Sequence, residues 1–152
     1  MESLKRIPAD LRDIDFLATG IVTDRRKAML GRLAQLGLRT HSAYMVPRYL
    51  RDGLLARSHV NLSVNKFEGP HQIVSVMRIC HSVVNRVPVI PESADESGPY
   101  ARYCLATDAA HLIHDAAEFV RHANIDEFAE DMLAMFRRQD MRETIRELVS
   151  QI

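Results

Sequence analysis

An excess of charge of either sign is missing: 20 Lys and Arg balance 20 Asp and Glu over 152 residues. Without net charge there is no global field to draw in nucleic acid or an anionic membrane. No apolar run approaches the roughly 20 residues that span a bilayer. The opening MESLKRIPADLRD lacks the apolar stretch of a signal peptide. Cysteine occurs only at Cys80 and Cys104, in apolar surroundings and without metal-like spacing. These read as reduced thiols of a cytoplasmic protein. There is no GxGxxG, no Walker loop, no HExxH and no GxSxG elbow. Dinucleotide, ATPase, zinc-protease and serine-hydrolase readings therefore have no support. His111, His114 and Asp115 share one helical face, but no distant Cys or His completes a site, so they read as surface or packing residues and no metal is expected.

What is present is alternation of short apolar runs with amphipathic stretches. DIDFLATG (13–20) reads as a buried strand. A helix follows, capped by Thr23 or Asp24, striped with Met29, Leu30, Leu33 and Leu36, and stopped at Gly37. LRTHSAYM (38–45) reads as a second strand, and PRYLRDGLLARS (47–58) as a helix opening on Pro with Leu50, Leu54 and Leu55 inward. HVNLSVN (59–65) alternates as a third strand. HQIVSVMRICHSVVNR (71–86) reads as a third helix, with Ile73, Val74, Met77 and Cys80 or His81 near one face. VPVIP (87–91) is a β-branched fourth strand, and ARYCLAT (101–107) reads as a short fifth. The remainder reads as helices opening at Asp108, at Asp126 and at Asp140 with Glu143. The charges of both signs in RDGLLARS read as a solvated helix face.

Strands alternating with helices predict an α/β fold: a Rossmann-like three-layer sandwich with a mainly parallel sheet and a helical C-terminal tail. The expected division is a lead segment 1–12, a Rossmann-like domain 13–122, and C-terminal helices 123–152 packing on the domain or a partner. Parallel strands put their C-terminal ends on one edge, where ligands of such sheets bind. Asn65 and Glu92 end neighbouring runs and belong at that edge. Between them KFEGPH leads to a helix N-terminus, whose free N–H groups suit a phosphate. Gly69 would permit close approach there. As plain spacing, Asn65 and Glu92 read equally as ordinary turn residues.

Three stretches, ATGIVTDRRKAMLGRL (18–33), RDGLLARSHVNLSVNKFEG (51–69) and VMRICHSVVNRVPVIPE (76–92), come in an order that resembles the C-terminal, nucleotide-sugar-binding half of bacterial GT-B, family-1-type glycosyltransferases. The resemblance runs from Asp13 to Val120. It implies a tight turn at Gly20 and neutralisation of a nucleotide diphosphate by Arg25, Arg26 and Lys27, a role that suits the guanidinium fork. It further implies a cradle over residues 68–71, with Glu68, Gly69 and His71, an Arg78 that reaches the ligand or a carboxylate, and a Glu92 holding ribose or sugar hydroxyls.

Departures stand beside it. Many retaining members carry paired glutamates around the third helix. Here Glu68 could be the first, and His81 occupies about the place of the second. Asn65 stands where the narrower family has His, and Pro91 where it has Ser. A complete GT-B enzyme needs two such halves, together about 350 residues or more. The expected function is therefore a glycosyltransferase-like module that binds a nucleotide or nucleotide-sugar donor, without another cofactor, and needs a second subunit for transfer. That subunit would be an acceptor half or a further copy of the chain. The competing expectation is a non-catalytic protein-interaction module built on a degenerate half. No catalytic residue is assigned.

Overall fold

The computed structural model describes residues 4–65, 76–92, 100–105, 107 and 110–138. Strand β1 (Ile14–Thr19) leads to α1 (Asp24–Gln35), β2 (Thr40–Ala43), α2 (Arg48–Ala56) and β3 (Ser58–Ser63). Then come α3 (Val76–Val84), β4 (Val89–Pro91), a 3-10 turn (Ala101–Tyr103), α4 (Leu112–His122) and α5 (Ile125–Arg138). The four strands form one sheet in the order β2-β1-β3-β4, and all three pairings are parallel. This is the α/β, Rossmann-like sandwich that the alternation predicts.

Period-2 alternation sorts the strand residues between two faces. Phe16, Ala18, Val60, Leu62, Val64 and Ile90 pack with Leu30 and Leu33 of α1 and Leu112, Ile113 and Ala116 of α4. On the other face Val89 meets Ile79 and Val83 of α3 and Leu133 of α5, while Leu17 meets Leu55 of α2. The chain runs outward from β1 to β2, then crosses to β3 on the other side of β1. The β1 and β3 C-terminal ends therefore flank the point where the winding reverses, and a crevice opens there.

Local chemistry explains the boundaries. The Thr23 side chain accepts from the Arg26 N–H and caps α1. Gly37, at φ +80°, ends it by donating to the Ala34 carbonyl. Helix α5 opens at Asn124, not Asp126. Asn124 Oδ1 accepts from the Glu127 N–H at 3.3 Å and caps the helix, and its Nδ2 donates to Glu127 Oε2 at 3.0 Å. Asp126 instead binds Arg12, which fastens the lead segment to α5.

The fifth strand expected over 101–107 is not one among the described residues. The Tyr103 and Cys104 N–H groups close back on the Tyr100 and Ala101 carbonyls, so a 3-10 turn forms. Burial of the Tyr103 ring edge-to-face with Phe136, centroids 5.3 Å apart, holds it there. Among the described residues the segment reaches β4 through the Leu105 N–H, at the Val89 carbonyl, and the Thr107 hydroxyl, at the Pro91 carbonyl. The α3 stripe also differs: Ile79, Ser82 and Val83 face inward while Met77 is 78% exposed. Leu36 and Leu50 of the expected α1 and α2 stripes are likewise exposed. The Asp108 cap, the Asp140–Glu143 helix, and Ile73 and Val74 lie outside the described residues.

Candidate functional site

The sheet edge is built from the first residues after β1 and β3. Gly20 follows β1 at φ +110°, a conformation that side chains rarely adopt, with its N–H on the Ala43 carbonyl. A Cβ at this position would lie 3.1 Å from Arg26 Nη1 and 3.4 Å from Arg78 Nη2. Two guanidinium groups thus converge on one glycine at the winding reversal.

Neither is paired with a carboxylate among the described residues. Arg26 donates to the Val64 carbonyl through Nε at 2.9 Å and to the Ile21 carbonyl through Nη1 at 2.7 Å. Arg78 donates to Ser63 Oγ at 2.7 Å and to the Thr19 carbonyl at 2.9 Å. Burial, and then the other's positive charge, lowers the pKa of Arg78 below the ordinary value, and burial followed by Arg25 does the same to Arg26. Neutral oxygens hold these cations in position without cancelling their charge, which leaves a field suited to an anion.

Arg25 and Glu92 do something different. Glu92 is fully buried at the end of β4. Arg25 grips its carboxylate with both terminal nitrogens, Nη1 at 2.6 Å from Oε2. The Asn65 N–H donates to the same Oε2 at 2.9 Å, and the Asn65 carbonyl accepts from Arg25 at 3.3 Å. In this arrangement Glu92 joins α1, β3 and β4, and its oxygens already hold hydrogen bonds. Asn65 Nδ2 is buried without a partner. Lys27 stays on the exposed face of α1, 3.4 Å from Asp24. Glu68, Gly69 and His71 lie outside the described residues.

A cavity of about 820 Å³ opens beside this edge. Of the residues singled out in the sequence for ligand contact, Gly20 and Arg78 line it. Its other walls include Tyr44 and Met45 after β2, Arg48 and Arg51 from α2, Asn61 from β3, and Met77 and His81 from α3. Sequence reasoning missed the α2 contribution: Asp52 lies 3.4 Å from both His81 Nε2 and Arg48 Nε. It missed Asn61 and Ser63 as well, although the alternation in HVNLSVN puts both on one face of β3, opposite Val60, Leu62 and Val64. That polar stripe meets α3 through Asn61–Ser82 at 2.8 Å and Ser63–Arg78.

Among the described residues no group of three His, Cys, Asp or Glu could hold a metal, and no helix is long and apolar enough to cross a membrane. Cys80 and Cys104 are unpaired, and burial pushes the Cys104 thiol up to about 12. No family model matches the chain, and neither does any curated protein or solved structure.

Proposed function

We propose that this domain is a glycosyltransferase-like module that binds the phosphates of a nucleotide or nucleotide-sugar at the C-terminal edge of β1, and that transfer requires a second subunit. The observation that carries this reading is the convergence of Arg26 and Arg78 on Gly20, with no carboxylate paired to either among the described residues. A phosphate beside them would meet two charged donors that the absent Gly20 side chain lets approach each other. The order of ATGIVTDRRK, RDGLLARS and VMRICHSVV adds the resemblance. Arg25 and Glu92 enter as the brace of the edge rather than as direct ligands. A cytoplasmic setting goes with this reading, supported by the two free thiols.

The test is a thermal-shift screen with UDP, GDP and their sugar conjugates on wild type and Arg78→Ala. A ligand confined to the native state adds about 2.7 kcal/mol at 100-fold over its dissociation constant. A rise in wild type that is lost in Arg78→Ala supports the reading. No rise at millimolar ligand overturns it.

A second reading, a non-catalytic protein-interaction module, draws on the exposed apolar residues near the cavity. Met45 is 85% exposed, Met77 78% and Tyr49 73%. A partner, either an acceptor-half subunit or a second copy, would cover such side chains. Concentration-dependent sedimentation that disappears in Met45→Glu/Met77→Glu, with no nucleotide response, would favour this reading over the first.

A further inference from the structure

One buried polar atom at the cavity, Asn61 Oδ1, has no hydrogen-bond partner among the described residues, whereas Arg51 Nε and Asp52 Oδ1 face each other as an ion pair at 3.8 Å. Asn61 is 2% exposed and lines the floor, Arg51 lines the wall, and Asp52 stands behind His81. Buried polar atoms in folded proteins are nearly always satisfied, so this exception calls for an occupant that supplies a partner. The Asn61 amide is already anchored by its Nδ2 on Ser82 Oγ at 2.8 Å, which leaves the carbonyl oxygen. His81 is fixed in the same way. Asp52 Oδ1 faces its Nε2 at 3.4 Å and favours the proton on that nitrogen, making Nδ1 the acceptor. Arg78 and His81 are three residues apart on α3, hence on one side of the helix and about 4.5 Å apart along its axis.

We infer that the cavity reads a phosphorylated polyol: the phosphate at Gly20 and Arg78, and hydroxyl groups donating to His81 and Asn61 Oδ1. This rests on the anion pole of the function proposed above, and adds that the hydroxyl-bearing part of the ligand turns toward α2 and α3. Hydroxyl groups fit because the Asn61 amide is neutral and His81 stands about one helical turn from Arg78. Asp52 orients the imidazole and does not touch the ligand. Sugar phosphates and nucleotide-sugars share the required chemistry.

The experiment records imidazole nitrogen shifts of the intact wild-type chain by NMR during titration with inorganic phosphate, ribose 5-phosphate and UDP-glucose. Affinities of wild type, His81→Phe and His81→Gln are measured alongside by calorimetry. Ribose 5-phosphate or UDP-glucose should move the His81 resonances, and inorganic phosphate should not. His81→Phe should weaken the polyol phosphates about tenfold without changing phosphate affinity, and His81→Gln should restore much of the loss. Binding of a polyol phosphate that leaves the wild-type His81 resonances unmoved would overturn the inference and leave the proposed donor binding standing. Ribose 5-phosphate binding with the His81 shift, but no UDP-glucose binding, would support the inference and count against the nucleotide-sugar donor. Failure of every probe to bind would overturn both.

Discussion

Arg25 and Glu92 show how one contact changes the meaning of two residues. A fully buried carboxylate is tolerated because a bidentate guanidinium and the Asn65 N–H satisfy it. Arg25→Ala leaves that charge unpaired, so urea denaturation should show a loss of about 3–5 kcal/mol, with Arg25→Met/Glu92→Leu costing clearly less. Equal losses in the two variants would contradict the pairing. Arg25 and Glu92 are therefore poor probes of ligand binding, since changing either alone disturbs the fold. Arg78 serves better, because its partners Ser63 Oγ and the Thr19 carbonyl are neutral. Cys104 supplies a second residue-scale prediction. Its buried thiol should resist alkylation near neutral pH until the chain unfolds, as mass spectrometry of labelled protein would show. In the sequence, the place of Glu92 at the edge was legible from strand-end spacing, while Arg25, Arg26 and Arg78 entered through the resemblance. That Arg25 turns to Glu92 while Arg26 turns to carbonyls was not legible, because adjacent helix residues diverge by about 100° and tertiary neighbours decide the rest.

Among the elements, β1, α1, β2 and β4 were legible from the stops Gly20, Gly37, Pro47 and Pro91, α2 from its opening Pro47, and β3 from its alternation. The turn at Ala101–Tyr103 was not, since β-like composition is overridden by the packing of Tyr103 against Phe136. The opening of α5 was misplaced by two residues because Asn124 and Asp126 both suit a cap, and Asp126 is taken by Arg12. Asn124→Ala should cost about 1 kcal/mol in thermal or urea unfolding. Asp126→Ala should leave the α5 cap intact and loosen the lead segment, seen as faster hydrogen exchange over residues 4–12. The polar stripe of β3 reaches the cavity through Asn61. Asn61 lies in register between Leu17 and Val89, a polar residue amid an apolar row. The stripe stands in the sequence as alternating Asn and Ser in HVNLSVN, but alternation alone cannot tell a solvent face from a cavity wall.

For the whole molecule, pH exposes the same organisation. Burial lowers the pKa of His59 and His81 below 6.5; Arg12 adds to this at His59, whereas Asp52 opposes it at His81. The native imidazoles stay neutral while those of the unfolded chain take up protons, so stability is present above about pH 6.5 and declines as pH falls through it. A second loss follows below the ordinary carboxylate value of 3.8. The hydrogen bond from Arg12 lowers the pKa of Asp126, and at Asp15 the Arg39 contacts outweigh burial. Urea midpoints should therefore drop between about pH 7.5 and 5.5, and His59→Gln/His81→Gln should flatten the drop. A wild-type midpoint constant across that range would refute the neutral native imidazoles. The central claim is that a phosphate-bearing ligand binds where Arg26 and Arg78 converge on Gly20. Calorimetric titration of UDP into wild type and Arg78→Met, at low and high salt, tests it most directly. The account predicts heat of binding in wild type that weakens with salt, and at least a tenfold loss in a folded Arg78→Met, roughly one charge-assisted hydrogen bond. Equal affinity in the two proteins, or no binding by wild type at low salt, would contradict it.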